Sequence, residues 1–443
     1  MTSRRLIASL VLLASVLGVT GLAQPPAKPA VTAEEEQARE LFAAQKYEET
    51  YKALQAAVGK NPKLPPARVL LASMFYQAKQ GQLARQTLEA AASEDPKHPE
   101  VYLMNANFAF GEGRLTDAIL SCQALLQVAT DPRWDPEQRK RFIREARLGL
   151  AASYEGRRDF TNAKEHLMAV LTDDPKNGPA RTRLGSATFL MNKPDEALVE
   201  FQTAYRDDPA SELPELQMAA LYNSQNADEK AEEWFKKAVT TYATNPKSHR
   251  AYAAWLIDHS RANETELYLK TAAQLDPTSK ETAALQGLAA RYRKDFAAAE
   301  PIFQKLLQDS PNNAFAAWNL ALTLAESPMK DKQVRAVELA ESEVRKNQKN
   351  AEAYAVLGWC YYKAGQLDNA EKALANAMQS GSLSRDAAYF FARILVDKQR
   401  TEDAYKILKS VADARGPYVY KAEGTTLLAE VEKKLPPKKD EKK

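Results

Sequence analysis

The sequence predicts an all-α solenoid of about eleven helix-turn-helix repeats, and three observations carry that reading. Small residues recur every 34 positions, at Ala38, Ala72, Ala106, Ala151, Gly185, Ala219, Ala253, Gly287, Ala321, Gly358 and Ala392, with two insertions. A second small series, Thr50, Ala84, Ala118, Ala163, Ala197, Ala231, Thr265, Ala299, Ala336, Ala370 and Ala404, follows the first by 12 residues, or by 15 in the ninth unit. Four places further on stands a large apolar residue, from Leu54 and Leu88 through Phe201, Phe235 and Phe303 to Leu374 and Leu408, with Cys122 in the third unit and an undersized Ala340 in the ninth. Two helices that touch where side chains are small, locked by one bulky residue just beyond, produce this pattern. Composition agrees: glycine is scarce, with 16 in 443 residues, and no stretch alternates as a half-buried strand does.

In chain order, residues 1–23 read as a secretory signal. Arg4 and Arg5 precede an apolar run from Leu6 to Val19, and Gly21 and Ala23 put small residues where a signal peptidase cuts. The run is almost long enough to span a bilayer, so an uncleaved helix anchored in the inner membrane is the alternative. Residues 24–32, with Pro25, Pro26 and Pro29, predict a flexible linker. Residues 33–417 hold the repeats, and because stacked units share one continuous core, the span counts as one domain. Residues 418–435 place Tyr420, Leu427, Leu428 and Val431 on one stripe and predict a capping helix over the open end of the stack. The lysine-rich residues 436–443 predict a disordered, solvated tail.

These residues resemble the tetratricopeptide repeat (TPR) family over about residues 33–417. The tenth unit carries the pattern most fully, with Tyr354, Leu357, Gly358 and Tyr361 in its first helix and Ala370, Leu374 and Ala377 in its second. Proline closes units at Pro62, Pro96, Pro175, Pro209, Pro277 and Pro311, since it cannot continue a helix but can open the next. There are departures: the family's tryptophan near the start of the first helix is missing, Glu343 stands where the ninth unit should have a small apolar residue, and the tenth unit has no closing proline. The resemblance implies a right-handed superhelix whose first helices line a concave wall. It also disfavours one family mode, capture of a C-terminal carboxylate by a lysine and asparagines, because the wall positions here do not carry that set.

Charge and chemistry narrow the function. The chain has a net charge of +3, and loss of Arg4 and Arg5 with the signal leaves it near neutral, which argues against a nucleic-acid partner. His98, His166, His249 and His259 are scattered without the i, i+4 spacing that pairs imidazoles on a zinc-binding helix, and read as surface or helix-end residues. Cys122 and Cys360 lie seven repeats apart and read as buried thiols. Gly111 and Gly113 form a GxG in an interhelical turn, without the strand or third glycine of a dinucleotide loop. No enzymatic constellation is found, and neither cofactor nor metal is expected.

What remains is surface. With each first-series marker as position eight of its unit, positions five, nine and twelve share one helix face. Units eight to eleven bring Arg291, Tyr292, Trp318, Trp359, Tyr362, Tyr389 and Arg393 to or beside that face, with Trp318, Trp359 and Tyr362 on its exposed side. Aromatic rings with arginine bury large areas for little lost entropy and are the predicted partner-binding residues; packing against the next repeat is the competing reading. A second candidate is the insertion between units three and four, with Trp134 and the basic run Arg139, Lys140, Arg141, Arg144 and Arg147, since insertions in repeat arrays project from one face; the competing reading is a solvated charge face on an elongated helix with a Trp-capped turn. The expected protein is an exported, periplasmic or secreted, non-enzymatic scaffold that binds segments of envelope or secretion proteins. The alternative is a scaffold for exopolysaccharide secretion or outer-membrane assembly that touches glycan directly. Membrane contact is expected only if the N-terminal segment is uncleaved.

Overall fold

The computed structural model describes residues 32–435 apart from 381–383 and 415. The signal segment 1–23, the linker up to residue 31 and the tail 436–443 lie outside the described residues. Those described form 23 α-helices and one 3-10 helix, with no strand among them, and none of these helices is long and apolar enough to cross a membrane. The chain makes two compact units, with the boundary in the sequence between Ala227 and Asp228.

The first unit holds α1 (Ala33–Ala43), α2 (Tyr47–Lys60), α3 (Ala67–Gln77), α4 (Gly81–Glu94), α5 (Pro99–Gly111), α6 (Leu115–Val128), α7 (Pro136–Gly156), α8 (Phe160–Asp173), α9 (Gly178–Leu190), α10 (Pro194–Asp207) and α11 (Pro214–Ser224). The second holds α12 (Asp228–Thr241), α13 (Pro246–Asp258), the 3-10 helix Ala262–Glu264, α14 (Glu266–Leu275), α15 (Lys280–Tyr292), α16 (Phe296–Asp309), α17 (Ala314–Ala325), α18 (Lys330–Lys346), α19 (Ala351–Lys363), α20 (Leu367–Ser380), α21 (Arg385–Asp397), α22 (Thr401–Val411) and α23 (Lys421–Lys434). Within each unit a first helix packs on its own second helix and on the first helix of the next repeat. Thus α3, α5 and α7 lie side by side in one unit, and α13, α15, α17, α19 and α21 in the other. Thr32, placed in the linker by the sequence, instead caps α1: its Oγ1 accepts the Glu35 N–H at 3.2 Å, and the Glu35 carboxylate accepts the Thr32 N–H at 2.9 Å.

The core is the repeat pattern made solid. Every member of both small series is buried, and so is every residue at the bulky position, Cys122 and Ala340 included. Glycine markers explain themselves through their neighbours. A Cβ on Gly185 would stand 2.4 Å from Phe201 Cε1, one on Gly287 2.9 Å from Phe303 Cζ, and one on Gly358 2.5 Å from Leu374 Cγ and 3.2 Å from the Ala370 carbonyl oxygen. Each glycine therefore faces its own repeat's bulky residue, sixteen positions on. Gly358→Ala should lower stability by about 1–3 kcal/mol through overpacking, read by urea denaturation.

Local chemistry ends the helices. The residue before each closing proline, Asn61, Asp95, Asp174, Asp208, Asp276 or Ser310, is the C-cap of a second helix, with φ from −152° to −130° and ψ from 80° to 98°. Proline clashes with a helical residue in front of it and so suits this extension, which Asn347, followed by Gln348, also adopts at φ −147° and ψ 87°. The turn inside each repeat has a different signature: Gln45, Lys79, Gly113, Arg158, Asn192, Asn226, Ser260, Lys294, Gly365 and Gln399 all have φ between 60° and 77°. Only two of the ten are glycine, although the left-handed region disfavours a Cβ. Lys79→Gly should therefore stabilise the first unit by about 0.5–1 kcal/mol, a rise in urea midpoint at constant slope. The ninth repeat, with Ser327 and Pro328 in its turn, has no such residue, and its Glu343 is buried with the Lys346 ammonium 2.6 Å away.

The structure decides between readings that the sequence left open. His249, read as a surface or helix-end residue, lies in the first turn of α13 and is buried, with Nε2 2.8 Å from the Ala243 carbonyl oxygen. The insertion takes the elongated-helix form. It lengthens α7 to 21 residues and folds Trp134 inward onto Phe142, ring centroids 5.8 Å apart, beside Leu125, Ala129 and Ala146. Its basic run is partly spent on structure, for Arg141 pairs with Glu100 and lies over the Phe142 ring, and Arg147 reaches His166 at 2.9 Å.

Candidate functional site

The wall of the second unit is built by α15, α17, α19 and α21, and its rings belong largely to each other. Trp359, expected on the exposed side, is 3% exposed. It stacks on Phe390 at 4.2 Å between centroids and on Tyr362 at 5.0 Å, so position nine faces inward here, and this ring is not a free anchor. Tyr389 is buried as well. Tyr362, half-buried, donates its hydroxyl proton to Asp397 at 2.7 Å and accepts from Arg393 Nε at 3.2 Å, while Arg393 also reaches Asp397 at 3.1 Å. Trp318 is half-buried, and its indole N–H has no acceptor among the described residues. Arg291 is 5% exposed, lies 5.4 Å from the Tyr292 ring centroid, and leaves Nε and Nη1 without hydrogen-bond partners among the described residues. Trp134 belongs to the first unit and joins none of these.

The centre of the wall is a residue outside the predicted set. Glu326, just past the end of α17, accepts through Oε1 from the Trp359 indole N–H at 2.8 Å and from the Tyr420 hydroxyl at 2.6 Å, and through Oε2 from Lys363 at 2.8 Å. Tyr420 stands 94 positions away in sequence. Its ring stacks on Tyr389 at 5.2 Å and meets Trp359 and Phe390 edge-on at 5.6 Å and 5.3 Å. The segment that carries it is held along its length. Asp386 Oδ1 accepts the Tyr420 N–H at 3.2 Å and the same carboxylate accepts from the Val419 N–H. Arg385 lies 4.7 Å from the Tyr418 ring centroid, and Glu423 pairs with Lys294 from the turn after α15. Beside Glu423 an open recess of about 410 Å³ remains, lined by Tyr389, Arg393, Ala422, Thr426, Leu427 and Glu430. The helix α23 that follows buries Leu427 and Val431.

Electrostatics single out the floor of this wall. Burial first, and then the neighbouring Asp386 carboxylate, push the Glu352 carboxyl up to about 7, against the pull of Arg291. Burial likewise pushes Asp386 up to about 6, against Arg291 and the two N–H groups it accepts. Tyr420 is raised well above the ordinary phenol range by burial and then by Glu326. Cys122 and Cys360 are both buried free thiols, and burial raises Cys122 to about 12. Among the described residues no group of three or more His, Cys, Asp or Glu side chains could hold a metal ion.

Sequence reasoning missed Glu326, Lys294, Asp386, Glu352 and Tyr420. The first four lie at helix ends or turns, where the position count does not reach. Tyr420 was seen only as a member of the last helix's apolar stripe.

Family models described as tetratricopeptide repeat match residues 75–136 in one case and residues 35–99 and 335–384 in another. No curated protein matches the sequence. Among solved structures, that of yeast Tom70 covers 91% of this chain and 95% of its own at 14% identity, with a TM-score of 0.38. A tetratricopeptide repeat protein from Parabacteroides merdae covers 66% and 99% at 15% identity, with a TM-score of 0.35. TTC0263, a thermophilic TPR protein of Thermus thermophilus, covers 42% and 98% at 15% identity, with a TM-score of 0.37. Residues 35–136 and 335–384 thus match tetratricopeptide repeats, and such repeats generally mediate protein–protein interaction.

Proposed function

We propose that this chain is a non-enzymatic scaffold of the cell envelope, exported by residues 1–23 and working in the periplasm or outside the cell, which holds segments of envelope or secretion proteins against the first-helix wall of its second unit. One observation supports the wall as a polypeptide receptor: it already grips a stretch of chain through both backbone and side chains, at Asp386, Glu326 and Lys294. Stacked helices hold these groups in place before a partner arrives, so little ordering entropy is lost on binding. The export reading rests on Arg4, Arg5 and the apolar run to Val19; left uncleaved, the same segment anchors the chain to the inner membrane. The glycan-contacting alternative draws on Trp318, because Trp359 and Tyr389 are already stacked on neighbouring rings.

The test is affinity capture from an envelope extract of the native host, with mass spectrometry, using the chain and a Trp318→Ala/Arg393→Ala variant beside a glycan array. Trp359 is left intact because its loss would remove core. Envelope proteins retained by the parent and lost by the variant are the expected result. Equal retention by both would remove the wall from the reading, and glycan binding without retained protein would replace it with the alternative.

A further inference from the structure

We propose that the wall of α15, α17, α19 and α21 is a site for a partner segment with a tyrosine followed three positions later by a glutamate, and that Tyr418–Glu423 is its resident competitor in cis. The inference deepens the scaffold reading and rests on it.

The segment makes two kinds of contact. A helix that merely closes a solenoid meets the last repeat and covers its apolar end, as α23 does with Leu427 and Val431. Tyr418–Glu423 does something else. It reaches Glu326, 94 positions back, and Lys294, 129 positions back, whereas neighbouring repeats stand 34 apart. These contacts are also of the wrong chemistry for a cap. A carboxylate accepting two consecutive backbone N–H groups, a glutamate accepting a phenol proton at the end of a ring-lined slot, and an ammonium meeting a carboxylate are the devices by which a receptor reads a peptide: main chain for affinity, side chains for register.

The pattern follows from the spacing of those devices. Tyr420 places its ring against Tyr389 and its hydroxyl on Glu326, and Glu423 stands one helical turn on, against Lys294. The resident does not fill the site. Glu423 Oε2 is buried without a partner among the described residues, and the 410 Å³ recess beside it opens onto Arg393. A partner with the same two side chains can also fill this recess, whose lining is Arg393, paired with Asp397, together with Thr426, Leu427 and Glu430. Tethering gives the resident an effective concentration on the order of millimolar, so a partner in solution binds the intact chain far more weakly than it binds the bare wall.

The experiment uses the full chain and, as probe, a fluorescein-labelled synthetic peptide of residues 416–426, followed by fluorescence anisotropy. Tyr420→Ala in the chain should bind the peptide at least tenfold more tightly than the parent, and a peptide with the same Tyr420→Ala change should bind neither. Circular dichroism checks that the variant keeps its helix content; if it does not, Glu423→Ala in the chain serves instead, with the same expected direction. Peptide binding to neither chain, or equally to both, overturns the proposal. The two readings separate cleanly. Envelope proteins captured by the parent but not displaced by the peptide leave the scaffold standing without this site, and peptide binding with no captured protein leaves the site standing without its envelope partner.

Discussion

Glu326→Ala should destabilise the second unit by about 2–4 kcal/mol, because two donors on buried residues lose their acceptor at about 1–3 kcal/mol each. Its carboxylate is the shared acceptor of the Trp359 indole N–H, the Tyr420 hydroxyl and the Lys363 ammonium. Truncation leaves two of those donors on buried residues, and Lys363, which lies 5.6 Å from the Trp359 ring centroid, loses its counter-charge. Release of residues 418–424 from the wall is the cheapest response, since it returns the Tyr420 hydroxyl to water. Hydrogen exchange should rise selectively at the amides of Val419 and Tyr420, which Asp386 holds, before it rises in α19. Glu326→Gln separates the contributions: it keeps an acceptor oxygen for Trp359 and Tyr420 but abolishes the ion pair, and should cost about 1–2 kcal/mol. Unchanged exchange at residues 418–424 in the alanine variant would show that Glu326 does not hold the segment.

Legibility in the sequence divided along a physical line. The repeat was readable because close helix contact demands a small residue at a fixed place, and Gly185, whose Cβ would meet Phe201, shows how little room there is. Helix ends were readable where proline constrains the residue before it, as at Asp95 and Pro96. The left-handed turn was not readable, because Lys79, Arg158 and Gln399 adopt a conformation that their side chains do not advertise. The wall was half readable. Counting positions put Trp359 and Tyr389 on the correct helices, but a helical count gives a face without saying what covers it. The cover, Tyr420, comes from beyond the last repeat, and no period links residue 420 to residue 326. At Trp134 the sequence left a contact point and a Trp-capped turn on an elongated helix open, and the apolar ring next to Phe142 takes the second because it is more stable inside.

The floor of that wall makes a second large effect, in pH. Glu352 and Asp386 have carboxyls raised to about 7 and about 6, above the ordinary values of 4.5 and 3.8. A carboxyl whose folded value is raised binds more protons in the folded state than in the unfolded one, so its contribution to stability is complete below the unfolded value and is lost as pH rises through the folded one. For Glu352 the window runs from 4.5 to about 7, and for Asp386 from 3.8 to about 6. The second unit should therefore gain on the order of 2–3 kcal/mol between pH 7.5 and pH 5, with burial as the main cause. Below pH 5 the trend reverses, because carboxylates held low by cations, such as Glu232 at about 2 beside Arg261, begin to lose their pairs. Glu352→Gln tests the assignment, since it presents a neutral group at every pH. It should raise stability at pH 7.5 and flatten most of the slope between pH 5 and 7, measured by urea denaturation at fixed ionic strength. A variant that keeps the parent's slope would move the origin of the effect away from Glu352. Lys79→Gly, in the first unit, should leave the slope untouched while raising the curve as a whole, which ties the pH effect to the second unit rather than to the repeats in general.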